Sequence, residues 1–386
     1  MISSLDYVVL FFCLAVQARV SVLAWRRIAR MPGVARAAAR AIFLTCEAVF
    51  LVGCAYDSQA ALGSLPYANH FAVLGAAVLM YTAVAAMALL LRPLMRAAGR
   101  KLGTEFNPGR RRLLNAAAGT LVAAPFAALA YGSFIGRTDL HVRELDVPLP
   151  GLPVSLDGLR LLHVSDIHLS EFLREAELVR MIDAANELKP HLTIFTGDLI
   201  SNPGDPLDAC IRQLARIKSD AGTLGCMGNH ERYVGVEAYT KQAAARYGIR
   251  FLRQESATLK FGDAVMNFAG VDYQSLHDRK SYLRGAERLI QPGAVNVLLS
   301  HNPDVFPVAA QQGYNLVLAG HTHGGQVQIE ILDRTLNPAR FITPYVYGLY
   351  QGGNSAEYVS RGIGTIGMPV RIGAPPEISI LRLRKA

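Results

Sequence analysis

Charge is scarce in this chain. Of 386 residues, 18% are Asp, Glu, Lys or Arg and 51% are hydrophobic. That balance excludes an intrinsically disordered chain and is oilier than an ordinary soluble domain. Acidic residues are nearly missing from the first third. Residues 1–137 hold 14 Lys and Arg against 4 Asp and Glu, whereas residues 138–386 hold 25 and 26. The net charge of +9 therefore resides in the oily N-terminal part, which fits membrane flanks and argues against a nucleic-acid groove. Cysteine is sparse too. Cys13, Cys46, Cys54, Cys210 and Cys226 form no CxxC and no disulfide or zinc-ribbon spacing, so buried free thiols are expected. There is no internal repeat and no low-complexity linker, and the length suggests two or three domains.

Four apolar stretches occupy the first third, roughly 7–25, 41–56, 69–91 and 113–135. Each is near the ~20 residues that a bilayer core needs, although the first carries Arg19 and the second Glu47. The segments between them alternate in charge. Arg26, Arg27, Arg30, Arg36 and Arg40 follow the first stretch, and Asp57 alone follows the second. Arg92, Arg96, Arg100, Lys101 and Arg110–Arg112, with Glu105, follow the third. The positive-inside rule then predicts about four transmembrane helices over 1–137, with both basic loops cytoplasmic and residues 138–386 extracytoplasmic. Arg110-Arg111-Arg112-Leu113-Leu114 also resembles a twin-arginine export signal, with Ala128-Leu129-Ala130 as a small-residue cleavage pattern. A basic flank before an anchor helix is the plainer reading, and under either one residues 138–386 are exported.

From about 138 the pattern changes to short apolar runs alternating with amphipathic helices. Strands are expected at 159–164, 192–196, 223–227, 264–270, 295–300, 315–319 and 377–384, and helices over 171–188 and near 207–217. This is an α/β pattern with parallel crossovers and some antiparallel pairs. Five of the expected strands end in metal-ligand residue types: Asp166-Ile-His168, Gly197-Asp198, Gly228-Asn229-His230-Glu231, His301-Asn302 and Gly320-His321-Thr322-His323-Gly324-Gly325. The carboxyl ends of strands in such sheets converge on one crevice, so these turns can meet there.

Two divalent ions ~3.5–4 Å apart can clamp the attacking and leaving oxygens of an in-line phosphoryl displacement. Such a pair needs a bridging carboxylate, for which Asp198 is the candidate. Asp166, His168 and His323 then serve one ion, and Asn229, His301 and His321 the other. The mixed N/O donors suit manganese, iron or zinc. A hydroxide between the ions is the expected nucleophile.

These motifs, in this order, resemble the calcineurin-like metallophosphoesterase superfamily, whose pattern is D-x-H, G-D, G-N-H-[DE], H and G-H-x-H. The resemblance covers 158–386. Gly320–Gln326 and the tail around Tyr358–Gly364 and Pro376-Glu377-Ile378 resemble its bacterial membrane-attached or exported branch. The resemblance implies a four-layer α/β/β/α fold with two mixed sheets, the same ligand set, and hydrolysis of phosphomonoesters or phosphodiesters. It places His230 near the phosphate, where it would stabilise developing charge or protonate the leaving oxygen. Glu231 stands where the pattern allows either acid. Asp198 is followed by Leu-Ile-Ser-Asn rather than toward an Asp-Arg-Gly, which argues against a protein serine/threonine phosphatase.

Together these readings predict a catalytic domain over 138–386 behind a transmembrane region over 1–137, embedded in a bacterial inner membrane and facing outward, with lipid-linked phosphates as plausible substrates. One rival is cleavage of the nucleotide-linked acylated glucosamine of lipid A synthesis, against which the predicted topology counts. Another is a non-catalytic scaffold, which has no reason to retain Asp198 with His230. Among other polar residues, His163 is expected to pack in the core and His191 to lie at the surface. His277 reads as an exposed loop residue. Arg232 and Asn202 are candidates for phosphate contact, and Tyr345, Tyr347 and Tyr350 for a rim or for packing.

Overall fold

In a computed structural model, residues 4–60, 78, 81–90, 93, 124, 127–276, 278–331 and 334–386 are described. The chain divides into two compact units, Met1–Tyr131 with Gly367–Pro369, and Gly132–Ile366 with Val370–Ala386.

The first unit contains helices α1 (Ser4–Ile28) and α2 (Gly33–Ala60). Its pairing has a polar seam. Glu47 Oε1 accepts from Gln17 Nε2 (2.8 Å) and Ser21 Oγ (2.6 Å), and the Tyr81 hydroxyl donates to Gln17 Oε1 (2.8 Å). Cys13, Phe50, Cys54 and Val78 pack together, while Arg40 lies over the Trp25 ring. Among the described residues, no helix is long and apolar enough to cross a membrane. That corrects the expected bundle of about four transmembrane helices. Averaged hydropathy conceals how Arg19, Arg26 and Arg27 interrupt α1, and how Arg36, Arg40 and Glu47 interrupt α2. Most of the stretches 69–91 and 113–135, and all of Arg110–Leu114, lie outside the described residues. Cys46 is exposed, not buried; the other four thiols are buried as expected.

The second unit is built on two six-stranded mixed sheets. The first sheet runs β1 (His141–Leu149), β14 (Glu377–Lys385), β2 (Arg160–Val164), β3 (Leu192–Thr196), β4 (Thr223–Cys226) and β5 (Ile249–Phe251). The second runs β12 (Gly348–Gly352), β13 (Ser355–Val359), β9 (Leu316–Ala319), β8 (Val295–Leu299), β7 (Ala264–Gly270) and β6 (Glu255–Phe261). A hairpin of β10 (Ile329–Ile331) and β11 (Arg334–Leu336) stands apart from both sheets. Strands β2 to β5 are mutually parallel, as are β7, β8, β9 and β13.

The central strands are apolar at successive positions because both faces are covered. Leu161, Leu192 and Ile194 meet Val297, Leu299, Leu316 and Leu318 between the sheets. The neighbouring residues Leu162, Val164 and Phe195 face helices α3 (Glu175–Glu187), α4 (Leu207–Leu214) and α6 (Glu237–Ala245). On the outer face of the second sheet, Leu298 and Val317 pack with Phe306 and Ala309 of α7 (Phe306–Gln312). The order is therefore helix, sheet, sheet, helix, with the side-chain period of two sorting each strand between layers. The short helix α5 (Asn229–Val234) lies between β4 and α6.

Candidate metal centre

Strands β2, β3 and β4 of one sheet and β8 and β9 of the other present their carboxyl ends together. The turns after them are bonded to one another. The Asp166 N–H donates to Gly197 O (3.1 Å), His168 N–H to Asp198 O (3.0 Å), and Gly320 N–H to His301 O (3.1 Å). Two further bonds join the sheets. The His321 N–H donates to both carboxylate oxygens of Asp166 (3.0 Å each), and His301 Nδ1 lies 2.5 Å from Thr196 O.

Ligand atoms of Asp166, His168 and His323 lie within 4.8 Å of one another, and so do those of Asp198, His301 and His321; His168, Asp198 and His230 form a third such group. Asp198 sits between the two sets, with Oδ2 3.0 Å from His301 Nε2 and 3.5 Å from His168 Nε2. His323 Nε2 is 3.4 Å from Asp166 Oδ1. Asn229 opens α5, with its Oδ1 buried and without a hydrogen bond. The structure thus gathers the carboxylates and imidazoles predicted as ligands, with Asn229 in the adjoining turn.

The imidazoles are oriented from behind. Nδ1 of His301, His323 and His230 each faces a carbonyl, of Thr196 (2.5 Å), Gly364 (3.4 Å) and Ser201 (2.6 Å) respectively. A carbonyl only accepts, so Nδ1 carries the hydrogen and Nε2 is turned toward the cluster. His168 Nδ1 bonds Ser201 Oγ (2.9 Å). His168 Nε2 and His301 Nε2 are buried without a well-aligned hydrogen bond, although carboxylate oxygens are close. Unsatisfied buried polar atoms cost about 1–3 kcal/mol each. A divalent cation would satisfy several at once, and two anionic carboxylates among mixed N/O donors suit such an ion chemically.

Charge and burial compete within the cluster, and a bound cation would have to displace the proton from His301. Burial would lower the pKa of His301, but Asp198 and Asp166 outweigh it and push it up to about 10. Burial raises Asp198, but His301 and His168 hold it well below the usual carboxylate range. Burial dominates at Asp166, which is raised, and at His321, lowered to about 3. His230 is lowered by burial, with Asp198 opposing.

The backbone is unusual here. Asp166, His168, Asp198, His321 and His323 all have positive φ, between 47° and 72°. Non-glycine residues hold that conformation only where surroundings impose it, and such positions cluster at functional sites. Two glycines allow the close approach. A Cβ on Gly320 would lie 1.9 Å from Ser165 Oγ and 2.2 Å from Asp166 Oδ2, and one on Gly228 would lie 2.1 Å from Asp198 Oδ1.

Several contributors have roles that the sequence alone does not show. Glu231, at a position where the pattern allows either acid, is fully buried and accepts backbone N–H bonds from Gly228, Asp198 and Leu199 (2.6–2.9 Å). Ser201 serves both His168 and His230. The Tyr273 ring packs 5.5 Å from His321 and 6.1 Å from His301. Of the other polar residues weighed, His163 is buried, with Nε2 2.9 Å from Thr196 Oγ1. His191 is half-buried rather than at the surface, because its Nδ1 accepts from the Arg160 N–H (2.9 Å). Arg232 donates to Tyr273 O, and the Asn202 N–H donates to Asp205. Tyr345 and Tyr350 pack against the outer core, while Tyr347 lies under Arg361. His277 lies outside the described residues.

The chain is similar to several known proteins. The family described as calcineurin-like phosphoesterase matches residues 159–325. An uncharacterized metallophosphoesterase, YkuE, of Bacillus subtilis is 30% identical over 281 residues, which is 71% of this chain and 97% of that protein. An uncharacterized metallophosphoesterase of Campylobacter jejuni is 32% identical, over 63% of each chain. A Danio rerio transmembrane protein with metallophosphoesterase domain is 30% identical, over 66% of this chain and 60% of its own. Among solved structures, a dimetal phosphatase from Danio rerio aligns with 54% of this chain and 88% of its own, at 11% identity and a TM-score of 0.34.

Proposed function

The chain belongs to the calcineurin-like metallophosphoesterases, metal-dependent phosphoester hydrolases, and from that premise we propose that Asp166, His168, Asp198, Asn229, His301, His321 and His323 hold two divalent ions for hydrolysis of a phosphomonoester or phosphodiester. The observation that carries the reading is the convergence of buried imidazole Nε2 atoms on two carboxylates where parallel strands of both sheets end. Asp198 faces an imidazole of each group, as a bridging ligand must. Ions bound there polarise phosphoryl oxygens and bring the acidity of water near neutrality.

The protein's own groups do the rest. Backbone N–H groups of His321 and His230 hold the Asp166 and Asp198 carboxylates in place. The Ser201 carbonyl fixes the His230 ring through Nδ1, leaving Nε2 to carry a proton to the leaving oxygen. Burial lowers the His230 pKa and the Asp198 carboxylate opposes that shift.

Within this reaction we favour lipid-linked phosphate esters. The segment after the His323 turn carries exposed Leu336, Phe341 and Ile342, Phe341 at 86% exposure. It is tethered to that turn by Asn337 Nδ2 donating to Gly324 O (2.8 Å).

The test uses the full chain, stripped of metal and reloaded with manganese, iron or zinc, on p-nitrophenyl phosphate and bis-p-nitrophenyl phosphate, with Asp198→Ala alongside. Metal-dependent turnover that disappears in the variant is expected. A wild-type protein that binds no metal sinks the reading. Methyl and dodecyl p-nitrophenyl phosphates compared in the same assay test the substrate class, and equal kcat/KM for the two would remove the lipid preference.

A further inference from the structure

One buried cation takes no part in that chemistry. Arg371 is 1% exposed, and its hydrogen bonds all go to main-chain carbonyls. Nε donates to Gly364 O (3.0 Å). Nη1 donates to His323 O (3.3 Å) and Ala374 O (3.0 Å). Nη2 donates to Arg361 O (2.9 Å) and Gly362 O (3.2 Å), and again to Gly364 O. Burial pushes its pKa down to about 10, so it remains a cation at neutral pH. Burying a guanidinium without a hydrogen-bonded carboxylate is costly, so the gathered carbonyls mark a position the fold holds deliberately.

The carbonyls belong largely to one strap, residues 361–364, and the strap rests on one half of the cluster. The Gly364 N–H donates to Asp166 O (2.7 Å), and the Ile363 N–H to Ser165 O (3.1 Å) and Asp166 O (3.2 Å). A Cβ on Gly362 would lie 2.5 Å from Asp166 Cβ, and one on Gly364 would lie 2.8 Å from His168 Cβ. Gly364 O faces His323 Nδ1. The strap therefore touches Asp166, His168 and His323, the whole of one ligand trio. Arg371 also holds the His323 carbonyl directly. The second group is anchored elsewhere: His301 by Thr196 O, and the Asp198 turn by Glu231.

We propose that Arg371 is the positioning residue of one half of the metal centre, locking the strap against Asp166, His168 and His323 and so setting the affinity of that trio for its ion. The inference rests on the two-ion reading above. It predicts an asymmetry between the sites that general destabilisation does not produce.

The experiment measures manganese stoichiometry and affinity of the full chain by titration calorimetry, and spin coupling by electron paramagnetic resonance, for wild type, Arg371→Met and Arg371→Lys. Wild type is expected to bind two ions as a coupled pair. Arg371→Met should weaken one site by about 10–100-fold, the usual effect of losing a residue that orients a ligand, and show isolated manganese at limiting metal. Arg371→Lys keeps the charge but not the fork, and should fall between. Two unchanged affinities, or an equal loss at both sites, would overturn the proposal. If Arg371→Met does not fold, unchanged affinities at both sites in Arg371→Lys overturn it. Fewer than two ions in the wild type would instead overturn the underlying reading.

Discussion

Exchanging Glu231 for Gln replaces a carboxylate oxygen by an amide nitrogen at the junction of the Asp198 and Asn229 turns. The Glu231 carboxylate is fully buried. Oε2 accepts from the N–H groups of Asp198 (2.9 Å) and Gly228 (2.8 Å), and Oε1 from that of Leu199 (2.6 Å). A glutamine oxygen can take the two-donor position, and its NH2 then faces the Leu199 N–H, donor to donor. One orphaned N–H costs about 1–3 kcal/mol, and the two surviving bonds lose roughly half their strength without the charge. The net loss is about 2–4 kcal/mol. At ~2–4 °C per kcal/mol for a unit of this size, melting should fall by roughly 4–16 °C. Glu231→Ala orphans three donors, roughly 3–9 kcal/mol, which approaches the stability of a whole domain. Thermal unfolding of metal-free protein by circular dichroism reads the shift. Burial and Asp198 raise the Glu231 pKa, against the three N–H bonds that lower it. A Gln variant melting within a degree of wild type would mean that Glu231 is already protonated and the ionised anchor is wrong.

Three further outcomes follow from the geometry. His230→Ala should cut kcat by about 10²–10⁴-fold on an alkyl phosphate and far less on p-nitrophenyl phosphate, whose leaving group needs no proton; equal losses on both would reject the acid role. His163, pushed down to about 3 by burial, stays neutral in the native state while the unfolded chain titrates near 6.5. Stability should thus fall as pH drops from 6.5 toward 3, by up to ~1.4 kcal/mol per unit, and His163→Gln should flatten the slope in urea titrations at pH 7, 6, 5 and 4. Gly320→Ala places a Cβ inside contact distance of Ser165 and Asp166, so manganese affinity should fall together with about 1–3 kcal/mol of stability; wild-type values for both would show that the turn relaxes freely.

The strands that carry the metal-ligand residue types were the most legible part of the chain. Leu192-Thr-Ile-Phe-Thr196 and Leu316–Ala319 are covered on both faces, so apolar runs mark them directly. Edge strands left no such mark. The burial of β6 and β12 is partial and irregular, and β1 pairs with β14 across more than 220 residues of sequence. Arg371 was invisible for another reason: its partners are carbonyls, which every residue has. In the N-terminal third, hydropathy averaged over Gln17, Ser21 and Glu47 what the helix pair treats as a hydrogen-bonded seam.

The left-handed backbone at Asp166, His168, Asp198, His321 and His323 also bears on how this sequence can drift. An ordinary side chain there costs roughly 1–2 kcal/mol relative to glycine, and Asp and His, which tolerate that conformation better, cost less. Selection for folding alone would therefore erode these positions first, toward glycine or asparagine. A descendant released from its reaction should show that erosion while Leu161, Val297 and the rest of the layer between the sheets are still intact, so the order of loss along a lineage would date the end of catalysis before any decline of the fold.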